Sequence, residues 1–255
     1  MDITLFLQQM VNGFSLGSMY ALIAIGYTMV YGVLRLINFA HGDIMMVGAY
    51  VALFCMTSMA LPFGFALLFA VVVSALLGVC TDKIAYKPLR SAPRISLLIT
   101  AIGISFLLEN VFQVVFGGTP RSFNVPEFFE QVVSIGAITL PVSAIFVPVI
   151  TIFLLMIVLY VLYKTKYGIA IRALAFDIST VNLMGIDANL IISIVFGLGS
   201  SLAAIGGVFW AINYPSIDPL MGVLIGLKAF AAAVLGGIGS VGGAVLGGFI
   251  IGFTE

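Results

Sequence analysis

The chain has 255 residues, of which 62% are hydrophobic and 8% charged, against roughly 45–50% and about 25% in ordinary soluble domains. A soluble core of this size cannot hide so much apolar surface, so the composition predicts an all-α polytopic membrane protein. Its ten basic and ten acidic residues balance to a net charge of zero, which argues against a nucleic-acid partner. No cysteine or histidine spacing typical of a metal site is present.

About eight apolar stretches follow one another, each near the roughly 20 residues that a helix needs to cross a bilayer core of about 30 Å. Pro62 and Gly64 divide one run that is too long for a single helix, because proline disrupts helix interiors. We expect the natural protein to continue past Glu255, which would leave the last helix incomplete here. The whole of 1–255 is predicted to form one transmembrane domain. The stretches are 12–34, 44–60, 62–81, 95–116, 139–163, 189–212, 221–236 and 241 to the end.

The distribution of lysine and arginine predicts the orientation in the membrane. Two connections rich in these residues, 82–94 and 164–172, are separated by two spans. Both are placed in the cytoplasm, because cytoplasmic loops are enriched in lysine and arginine. Counting outward puts 35–43 inside. The N-terminus, 117–138 and 213–220 then lie outside.

One hydrophilic connection, 164–187, is long enough to form structure of its own. It begins with basic residues, and its apolar residues recur at a spacing of three or four. Arg172 and Asp177 lie off this stripe, so the pattern predicts a short amphipathic helix facing water. The chain has no Gly-x-x-x-x-Gly-Lys-Ser/Thr loop to bind ATP phosphates. We therefore interpret the connection as the surface that an energy-supplying partner contacts. The stripe consists of Ile171, Leu174, Ile178 and Val181.

Two ionisable residues, Glu109 and Lys228, lie inside apolar runs, where each costs about 2.5–3.5 kcal/mol on insertion scales. Each is about eight residues from the outer end of its span, roughly 12 Å deep at 1.5 Å per residue. Opposite charges at equal depth predict an intramembrane pair. Two roles remain open for it: a structural salt bridge, or the lining of a polar translocation pathway for a zwitterion.

The connection 35–43 is a polar helix break that carries Asn38, the only histidine His41, and Asp43. Gly42 is expected to end one helix, and Asp43 to cap the next. A catalytic His41–Asp43 pair is the alternative, but no nucleophile stands beside it. A lone histidine is also a poor metal site.

The glycine-rich stretch 236–248 lacks the lysine of a nucleotide-binding loop and lies between apolar runs. Small residues at such spacing allow membrane helices to approach closely. Close helix packing and a tight re-entrant turn that lines a pathway both remain open for it.

Several motifs resemble one family, the branched-chain amino acid permeases of bacterial ABC importers, of the LivH type. They cover most of the chain in order. They are NGFSLGSMYALIAIGYTMVYG at 12–32, LINFAHGD at 36–43, GIAIRA at 168–173 with LMGI at 183–186, and GLKAF at 226–230 with VLGGIG at 234–239.

The resemblance implies that 164–187 is the cytoplasmic coupling loop that contacts the ATPases. Phe176 stands where the family often has an acidic residue, next to the position of Asp177. This leaves less charge for the partner contact. Members of the family usually continue past the position of Glu255. The coupling residues that the resemblance implies are Gly168, Arg172, Ala173, Asp177 and Gly185.

The resemblance also implies the partners and the place of action. A second homologous permease, two cytoplasmic ATPase subunits and an extracytoplasmic substrate-binding protein would join this chain in a bacterial inner membrane. ATP would be used by the partners, and no cofactor would be bound by this chain. One rival keeps this architecture with urea, short amides or another small polar solute as cargo.

Two further rivals belong to other classes. An ion-coupled secondary transporter predicts carboxylates near mid-membrane and an internal inverted repeat, but only Glu109 qualifies and no clear repeat is visible. An intramembrane enzyme requires paired catalytic groups at one depth, and the sequence shows none.

Overall fold

The computed structural model describes residues 3–135 and 138–255, and helices account for most of them. The predicted all-α multi-pass class is confirmed. Each predicted apolar stretch corresponds to one helix. The α-helices of the described residues are α1 (Ile3–Leu34), α2 (His41–Thr57), α3 (Phe63–Thr81), α4 (Arg94–Phe116), α5 (Glu127–Glu130), α6 (Val142–Lys164), α7 (Lys166–Phe176), α8 (Ile178–Leu183), α9 (Ala188–Asn213), α10 (Met221–Leu235) and α11 (Val241–Thr254).

The apolar helices differ in length. Five helical stretches in the described part of the chain are long and apolar enough to cross a membrane; they comprise α1, α4, α6, α9, and α3 with the turns that follow it. The helices α2, α10 and α11 have 17, 15 and 14 residues. At 1.5 Å per residue they are about 21–26 Å long, shorter than a hydrocarbon core of about 30 Å. The number of complete crossings therefore remains a prediction.

The ends of the helices follow from local chemistry. Four prolines stand immediately before helices, where the missing N–H is no loss because first-turn amides have no partner within the helix. They are Pro62 before α3, Pro93 before α4, Pro126 before α5 and Pro141 before α6. Four side chains accept hydrogen bonds from first-turn amides. They are Thr165 for α7, Asp177 for α8, Asp187 for α9 and Ser240 for α11.

The helices α1 and α9 form the centre of the bundle, because both are buried along most of their length. Glycine allows the close contacts around them: a Cβ added at Gly207 of α9 would lie 2.3 Å from the backbone oxygen of Met45 in α2. By contrast, α3, α4 and α6 bury only a narrow face and expose large apolar side chains on the other. That exposed surface suits contact with lipid.

Two helices begin inside the bundle rather than at its ends. The His41 ring, at the start of α2, packs against Tyr27 with ring centroids 4.5 Å apart. Tyr27 lies seven residues, roughly 10 Å, before the end of α1. A Cβ added at Gly42 would lie 2.2 Å from the backbone oxygen of Gly222 in the first turn of α10. The amino-terminal ends of α2 and α10 therefore meet within the bundle.

Two small antiparallel sheets, which were not predicted, cover one end of the bundle. Strand β1 (Arg121–Ser122) pairs with β4 (Ser216–Ile217), and β2 (Val132–Ile135) pairs with β3 (Ile138–Pro141). The first pair joins the connections 117–138 and 213–220, which the sequence analysis placed on the same side. The prediction for the N-terminus includes residues 1–2, and that for 117–138 includes 136–137, which lie outside the described residues.

Candidate coupling loop and translocation site

The connection 164–187 forms two short helices, α7 and α8, rather than one. The Thr165 hydroxyl accepts a hydrogen bond from the Gly168 amide at 3.2 Å and begins α7. Asp177 is extended between the two helices, and its carboxylate accepts from the Thr180 amide at 3.3 Å. Gly185 has φ +79°, a left-handed conformation that favours glycine, and it turns the chain toward α9.

The predicted apolar stripe is correct at three of its four positions. Ile171, Leu174 and Val181 are only 2–5% exposed, whereas Ile178 is 38% exposed. The prediction for Ile178 was wrong because the break at Asp177 interrupts the helical periodicity. Arg172 is exposed, as its position off the stripe predicts, and its guanidinium lies 5.1 Å from the centre of the Tyr163 ring.

A tight contact fixes the direction of α7. A Cβ added at Gly168 would lie 2.2 Å from the backbone oxygen of Leu162, so only glycine fits where α7 folds back against the end of α6. Ala173 is half-buried in the middle of α7. These two residues therefore hold the segment 164–187 against the bundle.

The outer surface of the loop is apolar as well as charged. Five large apolar side chains are 55–87% exposed, which is unusual for a segment that is predicted to face water. Such residues are typical of surfaces that a partner covers. They are Tyr167, Ile169, Phe176, Leu183 and Met184.

A cluster of polar side chains, the mid-bundle cluster, surrounds the start of α2. Asn38, His41, Asp43 and Glu109 are each 1–6% exposed. Asp43 accepts a hydrogen bond from the Ser105 hydroxyl, which lies 3.4 Å from a carboxylate oxygen of Glu109. Two carboxylates on α2 and α4 therefore share one hydroxyl inside the bundle.

The predicted capping roles of Gly42 and Asp43 are wrong. The helix α1 already ends at Leu34, and Gly42 lies inside α2, where the approach of α10 leaves no room for a side chain. Asp43 lies in the first turn of α2, but its carboxylate is directed to α4 rather than to backbone amides. The residue before α2, Ala40, has no side-chain cap.

Several polar atoms of the cluster have no hydrogen-bond partner among the described residues. They are Asn38 Nδ2, His41 Nε2 and Asp43 Oδ1. Burial of such groups is costly, and at membrane depth they are retained mostly where they have a function.

The predicted pair of Glu109 and Lys228 is also wrong. Lys228 forms an ion pair with Glu255, and the other carboxylate oxygen of Glu255 accepts from the Tyr20 hydroxyl at 2.7 Å. Equal predicted depth did not bring the two residues together: the Glu109 carboxylate lies 3.4 Å from the Ser105 hydroxyl of its own helix, whereas Lys228 reaches Glu255 at the end of α11. The part of each residue in a translocation pathway remains a prediction.

A second ion pair, whose carboxylate is buried, was missed by the sequence analysis. Asp82, which is fully buried, pairs with Arg90 and accepts from the Ser193 hydroxyl at 2.6 Å. Arg90 also donates to Asn189 at the start of α9. The signal was available, since Asp82 and Arg90 are eight residues apart, about two helical turns. A π-helical turn, Asp82–Tyr86, and a 3₁₀ turn, Lys87–Leu89, continue α3 between them.

The glycine-rich stretch 236–248 forms a tight turn followed by close helix packing, and its lining of a pathway remains a prediction. Gly237 and Gly239 have φ +91° and +96° in the tight turn between α10 and α11. Beyond the turn, a Cβ at Gly247 would lie 1.9 Å from the backbone oxygen of Ala232, so α10 and α11 pack closely.

Two cavities lie toward opposite ends of α1. One, of about 630 Å³, is lined by residues that include Asn12, Ser15 and Asn213. The other, of about 800 Å³, is lined by residues that include Arg35 and Arg172. Within 3–135 and 138–255, no three histidine, cysteine, aspartate or glutamate residues come together in a way that could hold a metal ion.

A bundle of apolar helices in which two helices begin beside buried polar side chains is typical of membrane transport proteins. Comparisons with known proteins agree. The family model for the permease component of branched-chain amino acid transport systems matches residues 9–255. The chain belongs to this family, and the prediction of a transport subunit rather than an enzyme is confirmed.

Individual relatives support the same assignment. The chain is 39% identical to the high-affinity branched-chain amino acid transport system permease proteins BraD of Pseudomonas aeruginosa and LivH of Escherichia coli. It is 37% identical to LivH of Salmonella typhimurium. Each comparison covers 98% of this chain and 85% of the relative. No solved structure matches the chain at a significant level.

Proposed function

We propose that the chain is the membrane permease subunit of an ATP-driven importer that moves branched-chain amino acids across a bacterial inner membrane. The observation that carries this proposal is the match of residues 9–255 to the family model. The names of the relatives support the choice of branched-chain amino acids as cargo.

The importer would contain a second related permease, two cytoplasmic ATPases and an extracytoplasmic binding protein. The loop 164–187 would be the ATPase contact, and its exposed apolar side chains support this role because a partner would remove them from water. Arg172 lies on the same exposed side of the loop. ATP would be bound by the ATPases, since the chain has no phosphate-binding loop of its own.

The mid-bundle cluster is the proposed passage for the zwitterion. An amino acid needs acceptors for its ammonium group, which Asp43 and Glu109 would supply. It also needs a counter-charge for its carboxylate, which the amino-terminal ends of α2 and α10 would offer because helix amino termini carry partial positive charge. Binding here needs only to be weak, because the binding protein concentrates the cargo and weak binding permits release.

Closure of the ATPases on ATP would move the loop 164–187 and switch the bundle between outward and inward access. The energy for uphill transport would come from the partners. A cargo that binds the outward-open and inward-open states equally well cannot shift the equilibrium between them, so ATP binding must do so. The two cavities near opposite ends of α1 fit such a switch, since each would open to one side.

Reconstitution tests the proposal. The complete importer in proteoliposomes is expected to accumulate labelled leucine with ATP, and accumulation should vanish when the catalytic glutamates of the ATPases are replaced. Unlabelled isoleucine and valine should compete, and urea or acetamide should not. Uptake that survives ATP removal but disappears with an uncoupler would contradict the proposal in favour of an ion-coupled carrier.

A further inference from the structure

We propose that Arg35 is a positioning residue that links α7 of the coupling loop to the start of α2, so that movement of the loop reaches the mid-bundle cluster. The inference rests on the proposed function and identifies the connection through which that function would operate. Neither the motifs of the sequence nor the family match assigns a role to this arginine.

The link begins at the end of α7. A terminal nitrogen of the Arg35 guanidinium donates a hydrogen bond to the backbone oxygen of Ala175 at 2.9 Å. Ala175 is the second-to-last residue of α7, so its oxygen is one of the four carbonyls without a partner inside the helix. A cation is favourable at this negative end of the helix. Arg35 therefore closes the carboxyl end of α7 from a distant part of the chain.

The backbone of Arg35 supports a dedicated role for its side chain. Its φ is +52°, in the left-handed region that residues with a Cβ adopt at a cost and glycine adopts freely. Its amide donates to the Tyr31 oxygen at 2.7 Å and closes the last turn of α1. An arginine therefore occupies a position whose backbone conformation suits glycine.

The other end of the link is fixed as well. Three residues after Arg35, the Asn38 side-chain oxygen accepts a hydrogen bond from the buried Tyr86 hydroxyl at 2.8 Å. His41 begins α2 three residues later. The six residues from Arg35 to His41 span at most about 20–22 Å even when fully extended. A short connection with contacts at both ends is suited to pass a shift of α7 on to the start of α2.

Space for such a shift is present beside the link. The cavity of about 800 Å³ is lined by Arg35, Ala175 and Gly239, among other residues. It separates the end of α1 and α7 from the turn between α10 and α11, so these segments are not locked by continuous packing. Both partners of the Arg35–Ala175 hydrogen bond line this cavity.

The test compares cargo-stimulated ATP hydrolysis with leucine uptake in the same proteoliposomes, using the complete importer. Arg35→Gly removes the guanidinium but suits the left-handed backbone, so it should assemble and remain as heat-stable as wild type. Arg35→Lys keeps a charged donor. The matched control is Arg94→Gln, which removes an exposed arginine from the start of α4.

Arg35→Gly is expected to lower uptake per ATP hydrolysed about tenfold, the size of one charged hydrogen bond, while hydrolysis stays within about twofold of wild type. Arg35→Lys should recover part of the ratio, because an ammonium group also donates to a carbonyl but lacks the rigid fork of arginine. Arg94→Gln should leave the ratio unchanged.

The outcomes separate the link from the proposed function. A wild-type ratio in Arg35→Gly, or an equal fall of hydrolysis and uptake, would overturn the link and leave the proposed function standing. If Arg35→Gly does not assemble with the ATPases, Arg35→Lys is used instead. A wild-type value of uptake per ATP hydrolysed in that variant would likewise overturn the link. Absence of ATP-dependent uptake by the wild-type importer would remove the proposed function, and the link with it.

Discussion

Two buried tyrosines, Tyr86 and Tyr50, differ in whether their hydroxyl groups have a partner. Both are fully buried. The Tyr86 hydroxyl donates to Asn38, whereas that of Tyr50 has no hydrogen-bond partner in the described part of the chain. Tyr86→Phe is expected to cost about 1–3 kcal/mol of stability, because it leaves a buried amide oxygen unpaired. Tyr50→Phe should be neutral or stabilising.

The thermal denaturation midpoint of the purified protein in detergent measures this difference, and each variant serves as the control of the other because both remove one buried hydroxyl. Equal midpoints for the two variants would show that the Asn38–Tyr86 hydrogen bond does not contribute to stability.

At the residue scale, the sequence identified unusual side chains but not their partners. The charges of Glu109 and Lys228 marked both residues as unusual, because ionisable residues are rare within apolar spans. Their partners depend on which helix faces approach each other. Hydropathy along the sequence carries no information about that. Ser105 was missed for a related reason: a serine in an apolar helix carries no signal until Asp43 of another helix lies beside it.

At the element scale, glycine sets how closely helices pack. Gly42→Ala is expected to destabilise the protein by about 1–3 kcal/mol, since its methyl group would overlap the first turn of α10. The matched control is Gly103→Ala in α4, where an added Cβ has no atom within 4 Å. That change should be neutral or gain about 0.5–1 kcal/mol through helix propensity. The detergent-solubilised yield and the thermal denaturation midpoint measure the stability of both variants. Equal midpoints for Gly42→Ala and Gly103→Ala would contradict the close contact at Gly42.

The two faces of α7 should respond differently to substitution. Leu174 is 2% exposed and docks α7 on the bundle, so Leu174→Ala is expected to cost about 2–5 kcal/mol and lower the thermal midpoint. Ile169 is 59% exposed, so Ile169→Ser should leave the midpoint unchanged but reduce co-purification of the ATPases. A stable Leu174→Ala protein, or full ATPase recovery with Ile169→Ser, would contradict this division of faces.

The sequence predicted the existence of the helices better than the residues at which they begin and end. Hydropathy located every apolar helix, because lipid accepts only long apolar segments with internally paired backbones. It placed the start of the first helix at residue 12, whereas α1 begins at Ile3. It also missed that α2 and α10 begin inside the bundle, since the glycine contacts that permit this join residues far apart in the chain.

At the scale of the whole molecule, contacts between connections agree with the predicted sides. The connections 117–138 and 213–220, both placed outside, pair through β1 and β4. The connections placed inside also meet, through Arg35 with Ala175 and through Tyr86 with Asn38. Hydrogen bonds thus group the connections into two sets, one at each end of the bundle. Which set faces the cytoplasm depends on the lysine and arginine distribution alone.

Cysteine labelling decides that orientation. Cys80 is exposed and Cys55 is buried, so Cys80→Ser gives a suitable background. A membrane-impermeant maleimide should label Glu127→Cys in intact cells, because Glu127 lies in the predicted outer connection. Phe176→Cys, at a position 87% exposed in the coupling loop, should react only in inside-out vesicles.

Added ATPases should slow the labelling of Phe176→Cys several-fold if they cover the apolar surface of the loop, and should leave Glu127→Cys unaffected in the intact cells. Labelling of Phe176→Cys from outside would reverse the orientation. The ATPases would then have no access to 164–187, because they act from the cytoplasm. The contacts that group the connections would still hold, so this result would contradict the coupling mechanism without contradicting the fold.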